Sequence, residues 1–322
     1  MGRALVGAWL LIATLGGCGR IGFGSAPQGN GQGDASVDAG NQDAGTDADA
    51  PSEDASVTRS CSGAWGTPTI IESLDVDGRD DDPSFTADLL ELYFASKRPG
   101  GPQPTNLWRS LRATTRDPWG TPTLVEEIGP VNTPHVSSDG LSLWLSRSVG
   151  SGDEDIFVST RDSRNDPWGS PTAVEELNEA GFDDKSPAPY SNSLRILFTS
   201  DRPGGEGDLD FYRARRDKVG DRWGDIERIA TVSTSAFEAR PWPIQSGQRV
   251  YFHSIRTPLT SADIFMATFS PKNLEYEEAV LLDALSSPTY DEDIVVSDDE
   301  CYAILSSDRD GTPTLYESHR EP

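Results

Sequence analysis

Five near-copies of one phrase recur along this chain at almost constant spacing, and no other feature narrows its fold as far. The copies are "LELYFASKRPGG" from Leu90, "LSLWLSRSVGSG" from Leu141, "LRILFTSDRPGG" from Leu194, "QRVYFHSIRTPL" from Gln248 and "CYAILSSDRDG" from Cys301. Their apolar anchors Phe94, Leu145, Phe198, Phe252 and Leu305 stand 51, 53, 54 and 53 residues apart. A fixed period in this range means one supersecondary unit used repeatedly, each burying its apolar face only against its neighbours.

Inside a unit the residues alternate with period two, as with Leu92 and Phe94 against Glu91 and Tyr93, which turns one face of a strand inward. In "SKRPGG" and "SDRPGG" the Pro suits the first central position of a turn and the next Gly accepts positive φ, so the chain reverses into a second strand. Those second strands read "TNLWRSLR", "EDIFVSTR", "LDFYRARR", "ADIFMATF" and "PTLYESHR". A short segment built around Pro or Ser precedes each phrase: "DDPSF", "NTPHV", "KSPAP", "ARPWP" and "DEDIV". After four of the units a Trp-Gly pair or its degraded counterpart (Trp119, Trp168, Trp223, then Tyr276) introduces a further apolar strand such as "TLVEEI". No segment carries helical periodicity. Four strands per unit of about 50 residues is the composition of a propeller blade. The fold class predicted is all-β, a single β-propeller of five four-stranded blades.

The copies of the outer-strand phrase also predict how the ring closes. "DPWGTPTLVEE" begins at Asp117 and "DPWGSPTAVEE" at Asp166, but a clipped "WGTPTIIES" stands at Trp65, ahead of the first unit. The fifth unit in turn has three strands and no fourth. The early strand is therefore expected to complete the last blade, pairing two sheet edges that would otherwise be open to aggregation.

The phrases "FTSDRPGG" with "DLDFYRARR", and "LSSDRDG" with "PTLYESHR", resemble the TolB-type, WD40-like β-propeller repeats. The resemblance covers the chain from Trp65 onward. It departs in the second unit, which reads "SRSVG" where the pattern has Ser-Asp-Arg, and in the number of units, five here where that family often shows six. What it implies is a propeller whose partner is another envelope or cell-wall-associated protein.

The N-terminus belongs to a different class of sequence. Arg3 precedes an apolar run from Ala4 to Leu15 that ends in "LGGC" at Cys18, a secretory signal pattern too short for the roughly 20 apolar residues a spanning helix needs. The tetrapeptide resembles the lipobox of bacterial lipoproteins, which implies a signal peptide over 1–17 and a lipid on Cys18; the alternative is an ordinary cleavage site that leaves a free thiol. Several acyl chains, each buried CH₂ worth about 0.8 kcal/mol, anchor a protein durably. Gly19 rather than Asp after that Cys implies the outer membrane by the familiar sorting pattern, with the periplasmic and surface faces both open. Residues 18–60 read as a disordered tether: from Ser25 to Val57 there is no aromatic residue, and the acids from Asp34 to Asp54 repel one another. The propeller is assigned to 61–322.

Charge excludes one class of partner. The 53 acidic residues outnumber 27 basic ones for a formal net charge of −26. Such a surface repels nucleic acid, whose affinity rests on basic neutralisation of phosphate, and offers anionic lipid nothing to bind. Membrane contact is expected through the lipid alone, and the folded part is expected to be a monomer with an unidentified envelope protein or glycan as its partner.

Candidate chemical groups are few. Trp65, Trp119, Trp168 and Trp223 suit sugar stacking, but one Trp at one place in each blade reads better as a wedge between blades. Arg98, Arg202 and Arg309 suit an anion, but their place at hairpin starts favours a local ion pair with a nearby Asp. The acids Asp81, Asp82, Asp184, Glu238, Asp291 and Glu292 precede the inner strands; they point either to a glycosidase pair in the channel or, as their recurrence favours, to capped turns. No catalytic residue is assigned. The run "DVDGRDDD" from Asp75 begins like a calcium loop but lacks the Gly and Glu that an EF-hand places at its sixth and twelfth positions. No cofactor is assigned beyond that possible Ca²⁺. His135, His253 and His319 fall in different units without metal-ligand spacing, so no metal site is assigned. There is no GxSxG elbow. Cys61 and Cys301 are an even pair in the same composite blade, which suggests a disulfide in an oxidising envelope. Two strands separated within one sheet can also exceed the roughly 7 Å Cα limit for such a bond, so the sequence leaves the pair open.

Overall fold

The computed structural model describes residues 61–321 apart from Asp77, Ser151 and Thr257. The segments expected to be a signal peptide over 1–17 and a tether over 18–60, with the expected lipid site Cys18, lie outside the described residues.

Every regular element among the described residues is a β-strand, and the strands form five antiparallel sheets, the blades of a β-propeller. Blade 1 runs from the axis outward through Asp80–Phe85, Glu91–Ser96, Asn106–Leu111 and Thr123–Leu124. Blade 2 uses Asn132–Val136, Ser142–Ser148, Glu154–Thr160 and Thr172–Ala173. Blade 3 uses Asp184–Tyr190, Arg195–Ser200, Asp210–Arg215 and Gly224–Arg228. Blade 4 begins with Glu238–Pro243, Arg249–Ser254 and Asp263–Ser270. Its outer edge departs from the expected single strand: Glu275–Tyr276 and Val280–Leu281 both pair with Asp263–Ser270. Blade 5 uses Asp291–Val296, Tyr302–Ser307 and Thr314–His319, and its outermost strand is Thr69–Ile70 from the other end of the chain.

The ring is thus closed as the displaced Trp65 phrase predicts. Thr69 lies opposite Glu317 and Ile70 opposite Tyr316, and the ladder continues through the Trp65–Arg320 bridge. Gly66 N–H donates to His319 O at 2.8 Å and Gly63 N–H to Glu321 O at 3.1 Å. Just beyond this clasp a disulfide joins Cys61 and Cys301, whose Cα atoms are 5.0 Å apart. The two residues reach one another across the end of the blade, where Cys61 N–H also bonds Asp299 O at 3.0 Å.

The apolar cores lie in the five seams, because each strand buries alternate residues against the next blade. Trp168 meets Tyr93 edge-on at 6.0 Å, Trp223 meets Trp144 at 5.9 Å, and Trp119 Nε1 donates to Tyr302 Oη at 3.2 Å. An arginine lies over each indole: Arg112 at 4.1 Å from the Trp119 centroid, Arg161 at 4.3 Å from Trp168, and Arg216 at 4.3 Å from Trp223. Trp65 packs with Tyr251 and Leu305 in the seam between blades 4 and 5. The tryptophans are wedges, 2 to 8 % exposed, with no face left for a sugar.

Replacing both cysteines of the clasp (Cys61→Ser with Cys301→Ser) is expected to lower unfolding stability by on the order of 2–5 kcal/mol. Urea unfolding with and without reductant measures it: reductant should destabilise the parent chain and leave the double variant unchanged.

Candidate functional site

The five innermost strands face one another around the axis, and each breaks regular β geometry at the same place. Strand register shifts between Asp81 and Ser84, Asn132 and His135, Lys185 and Ala188, Ala239 and Trp242, and Glu292 and Val295. The bulged residue is left-handed every time: Asp82 at φ 55°, Thr133 at 48°, Ser186 at 54°, Arg240 at 58° and Asp293 at 54°. None is glycine, so each carries a conformational cost of about 1–3 kcal/mol that its surroundings must offset. In four blades a Pro follows, which an edge strand tolerates because no ladder bond is needed there.

The bulge turns a backbone N–H toward the preceding blade. Asp82 N–H donates to Asp293 Oδ2, Thr133 N–H to Asp82 Oδ2 and Ser186 N–H to Thr133 Oγ1, each at 3.2 Å. Asp293 N–H donates to His253 Nδ1 at 3.0 Å. These bonds link four of the five bulges into a belt at the axis. Arg240 completes it, with Nε 3.0 Å from Asp82 Oδ1 and 3.4 Å from Asp293 Oδ1.

A second group of charges borders the belt. Arg79 Nε lies 2.6 Å from Asp81 Oδ2, and its Nη2 lies 3.1 Å from Glu292 Oε2. Asp81, Glu292 and Asp293 each offer an oxygen, and these atoms lie within 4.8 Å of one another. Burial pushes Asp81 up to about 6, reinforced by the neighbouring Asp82 charge. Burial also raises Asp82 to about 6 against the pull of Arg240. Glu292 reaches about 7 through burial and then the Asp293 charge, and Asp293 is itself raised by burial. His135 and His253 are pushed down to about 3 by burial and then by Arg240, so both are neutral and His253 Nδ1 is free to accept.

The axial passage is filled. Trp242 donates Nε1–H to Val296 O at 2.7 Å, packs against His135 at 4.4 Å between ring centroids, and meets Phe85 at 5.7 Å. The hollows on its two sides are about 10 and 20 Å³, each the size of a single water. A larger cleft of about 270 Å³ borders the carboxylates and is lined by Arg79, Tyr290, Glu292, Ser306, Ser307, Asp308 and Pro313. Asp308 there accepts Tyr290 N–H at 2.8 Å.

The acids singled out in the sequence divide into two sets. Asp81, Asp82 and Glu292 converge at the axis. Asp184, Glu238 and Asp291 do not: they are fully buried within their own blades and cap turns. Asp184 Oδ2 accepts Glu179 N–H at 2.6 Å, Glu238 Oε2 accepts Thr234 N–H at 2.9 Å, and Asp291 Oδ2 accepts Ser287 N–H at 2.5 Å. Their other oxygens receive the hairpin arginines, Arg202 on Asp184 at 2.5 Å and Arg309 on Asp291 at 2.5 Å, while Arg98 meets Asp80 at 2.8 Å. Each of these three arginines also donates to a turn carbonyl, that of Leu74, Leu177 or Leu285. The arginines are therefore internal struts, not an anion site.

Among the described residues, the last three acids of the run from Asp75 do not share one loop: they enter the first inner strand and diverge, Asp80 to Arg98, Asp81 to Arg79 and Asp82 to Arg240. His319 lies at the clasp beside Tyr302, away from the other two histidines. Sequence reasoning missed Asp293 and Arg240. Aligning the five inner segments on the residue before Pro, which four of them carry, puts Arg240 in that column and Asp293, before Ile294, in the same place in the fifth.

Comparison with known proteins bears on the fold. An endo-arabinase from Bacteroides thetaiotaomicron superposes with a TM-score of 0.54 at 13% identity, over 80% of this chain and 98% of that one. A thermostable family-43 glycoside hydrolase gives 0.52 at 12% identity, over 78% and 91%. The fold is a five-bladed β-propeller. Likeness at such identities extends no further than that. TolB from Acinetobacter baumannii gives 0.49 at 16% identity, and the match spans 77% of this chain and 57% of that one. No protein-family model matches the sequence, and no curated protein does.

The raised carboxylates set a pH dependence. Protonated at the axis and ionised near pH 4 when unfolded, they stabilise the fold fully below about pH 4, and that contribution is lost as pH rises through about 6 to 7. Glu292→Gln fixes one group in its neutral form. Its melting temperature relative to the parent is expected to climb between pH 5 and pH 8; a constant difference across that range would refute the assignment.

Proposed function

We propose that this chain is a lipid-anchored propeller of the bacterial outer membrane that binds a protein partner in the cell envelope and does not cleave a substrate. The observation that carries this reading is the engagement of the axial acids. Asp82 and Asp293 are held by backbone N–H groups and Arg240, Asp81 is held by Arg79, and Trp242 fills the passage where a substrate chain would enter. A propeller used this way acts through its loops and rim, and its activity has to be argued from a site rather than from the fold. The anchoring half rests on the "LGGC" sequence at Cys18 and on the acidic tether behind it, which gives the propeller reach from the membrane.

One observation favours a second reading, glycoside hydrolysis. Glu292 is raised to about 7 and lines an open cleft with Asp308, and a carboxylic acid poised near neutrality can protonate a leaving oxygen.

Two measurements separate the readings. The full chain, incubated with arabinan, xylan and cell-wall glycan, is expected to release no reducing ends; turnover that Glu292→Gln abolishes would select hydrolysis. Crosslinking in intact cells is expected to capture one envelope protein at near-stoichiometric yield, and Cys18→Ser should move the chain from the membrane to the soluble fraction without changing its melting temperature.

A further inference from the structure

Four seams close with the same set of groups, and the seam between blades 3 and 4 has lost them. Tyr276 stands there in place of the wedge tryptophan. Phe269 occupies the place of the indole-covering arginines Arg112, Arg161, Arg216 and Arg320. Leu197 stands where blades 1, 2 and 4 place Tyr93, Trp144 and Tyr251, an aliphatic residue it shares with Ile304 of blade 5. The result is a cavity of about 650 Å³ whose walls include Tyr190, Arg195, Arg213, Arg215, Phe269 and Tyr276. That volume suits a small ligand.

Blade 3 turns a cationic wall into this space. Across its strands Tyr190 pairs with Arg195 and Arg195 with Arg215, so two guanidinium side chains stand directly opposite each other. The same slot holds Glu91 and Leu111, Ser142 and Thr160, Arg249 and Thr268, or Tyr302 and His319 in the other blades. Like charges directly opposed on one face are unfavourable unless something neutralises them. Arg213 is satisfied by Glu227 at 2.7 Å and by Leu274 O at 3.3 Å. Arg215 meets Asp225 at 2.6 Å, with both side chains at least 60% exposed, an arrangement worth little in water. The Arg195 guanidinium is exposed and has no ion pair or hydrogen bond among the described residues. In a chain of net charge −26 this is an unneutralised cationic site beside a cavity.

We propose that the cleft binds a carboxylated saccharide of the uronic-acid type. Arg195 and Arg215 form a fork for the sugar carboxylate, since guanidinium matches that planar anion. Asp225, Glu227, Ser191 and Ser246 on the same walls accept from or donate to ring hydroxyls, and Phe269 offers an apolar edge to the sugar ring. The two acids favour a sugar over phosphate, because they offer several acceptor oxygens to ring hydroxyls where hydrogen phosphate has one or two P–OH groups to donate. The floor is firmly built. Tyr276 is 3% exposed and donates to Gly247 O at 3.2 Å, and Gly247, at φ +69°, lies so close to Tyr190 that a Cβ there would come within 2.6 Å of the ring.

Calorimetric titration of the full chain with trigalacturonate tests this, against a neutral galactose trisaccharide, inorganic phosphate and an acidic peptide. Trigalacturonate is expected to bind, more weakly at higher salt, while the other three do not. Arg195→Gln is expected to weaken it at least tenfold with a melting temperature no lower than the parent's, because that side chain is exposed and faces a like charge. Tyr276→Trp, which restores the wedge, is expected to abolish binding. Absence of trigalacturonate binding, equal binding of the neutral sugar, tighter binding of phosphate or peptide, or indifference to Arg195→Gln would each overturn the proposal. None of these outcomes bears on the protein partner, which is scored by crosslinking.

Discussion

The pairing of Thr69–Ile70 with Thr314–His319 is the contact on which the other parts depend. A row of five like sheets buries four seams and leaves two apolar faces exposed; only a closed ring buries the fifth. Here the fifth seam holds Trp119, Tyr302, Leu315 and Phe85, residues from both ends of the folded chain. Closure brings together segments separated by nearly the whole domain, a costly loop in entropy, and the disulfide across 240 residues reduces that cost by constraining the unfolded chain.

Closing the ring also sets the geometry at the axis, where five strand edges converge with no further sheet to pair them. The repeated left-handed bulge solves this by redirecting backbone N–H groups onto side chains of the preceding blade. Its consequence is that neighbouring acids have different fates. Asp80, Asp184 and Asp291, two residues ahead of the bulge, turn into their own blades toward hairpin arginines, while Asp82 and Asp293 at the bulge enter the belt. Asp81 and Glu292, between them, border the cleft beside Arg79. The strained backbone and the raised carboxylates are two results of one packing requirement.

The seams show how a repeat protein acquires a distinct surface. Four carry the same aromatic and arginine set, which leaves little room for a ligand. At the seam between blades 3 and 4 the wedge tryptophan and its covering arginine change together, and blade 4 splits its outer edge into two short strands at the same point. Coordinated departure from an otherwise regular pattern, with the unpaired Arg195 facing the gap opposite Arg215, distinguishes this cleft from simple loss of packing.

The sequence by itself determined the number of blades, their strand order, the wedge role of the tryptophans and the closing strand at Trp65, because these follow from period-two alternation and a period near 53 residues, both local. It also marked the six inner-strand acids as a recurrent set. Only the tertiary structure decided that three of them cap turns while the others meet Asp293, Arg240 and Arg79, because a one-residue bulge reverses which way a side chain points and leaves no mark in composition. The opposition of Arg195 and Arg215 was equally hidden: their separation in sequence is 20 residues, and strand register alone places them face to face.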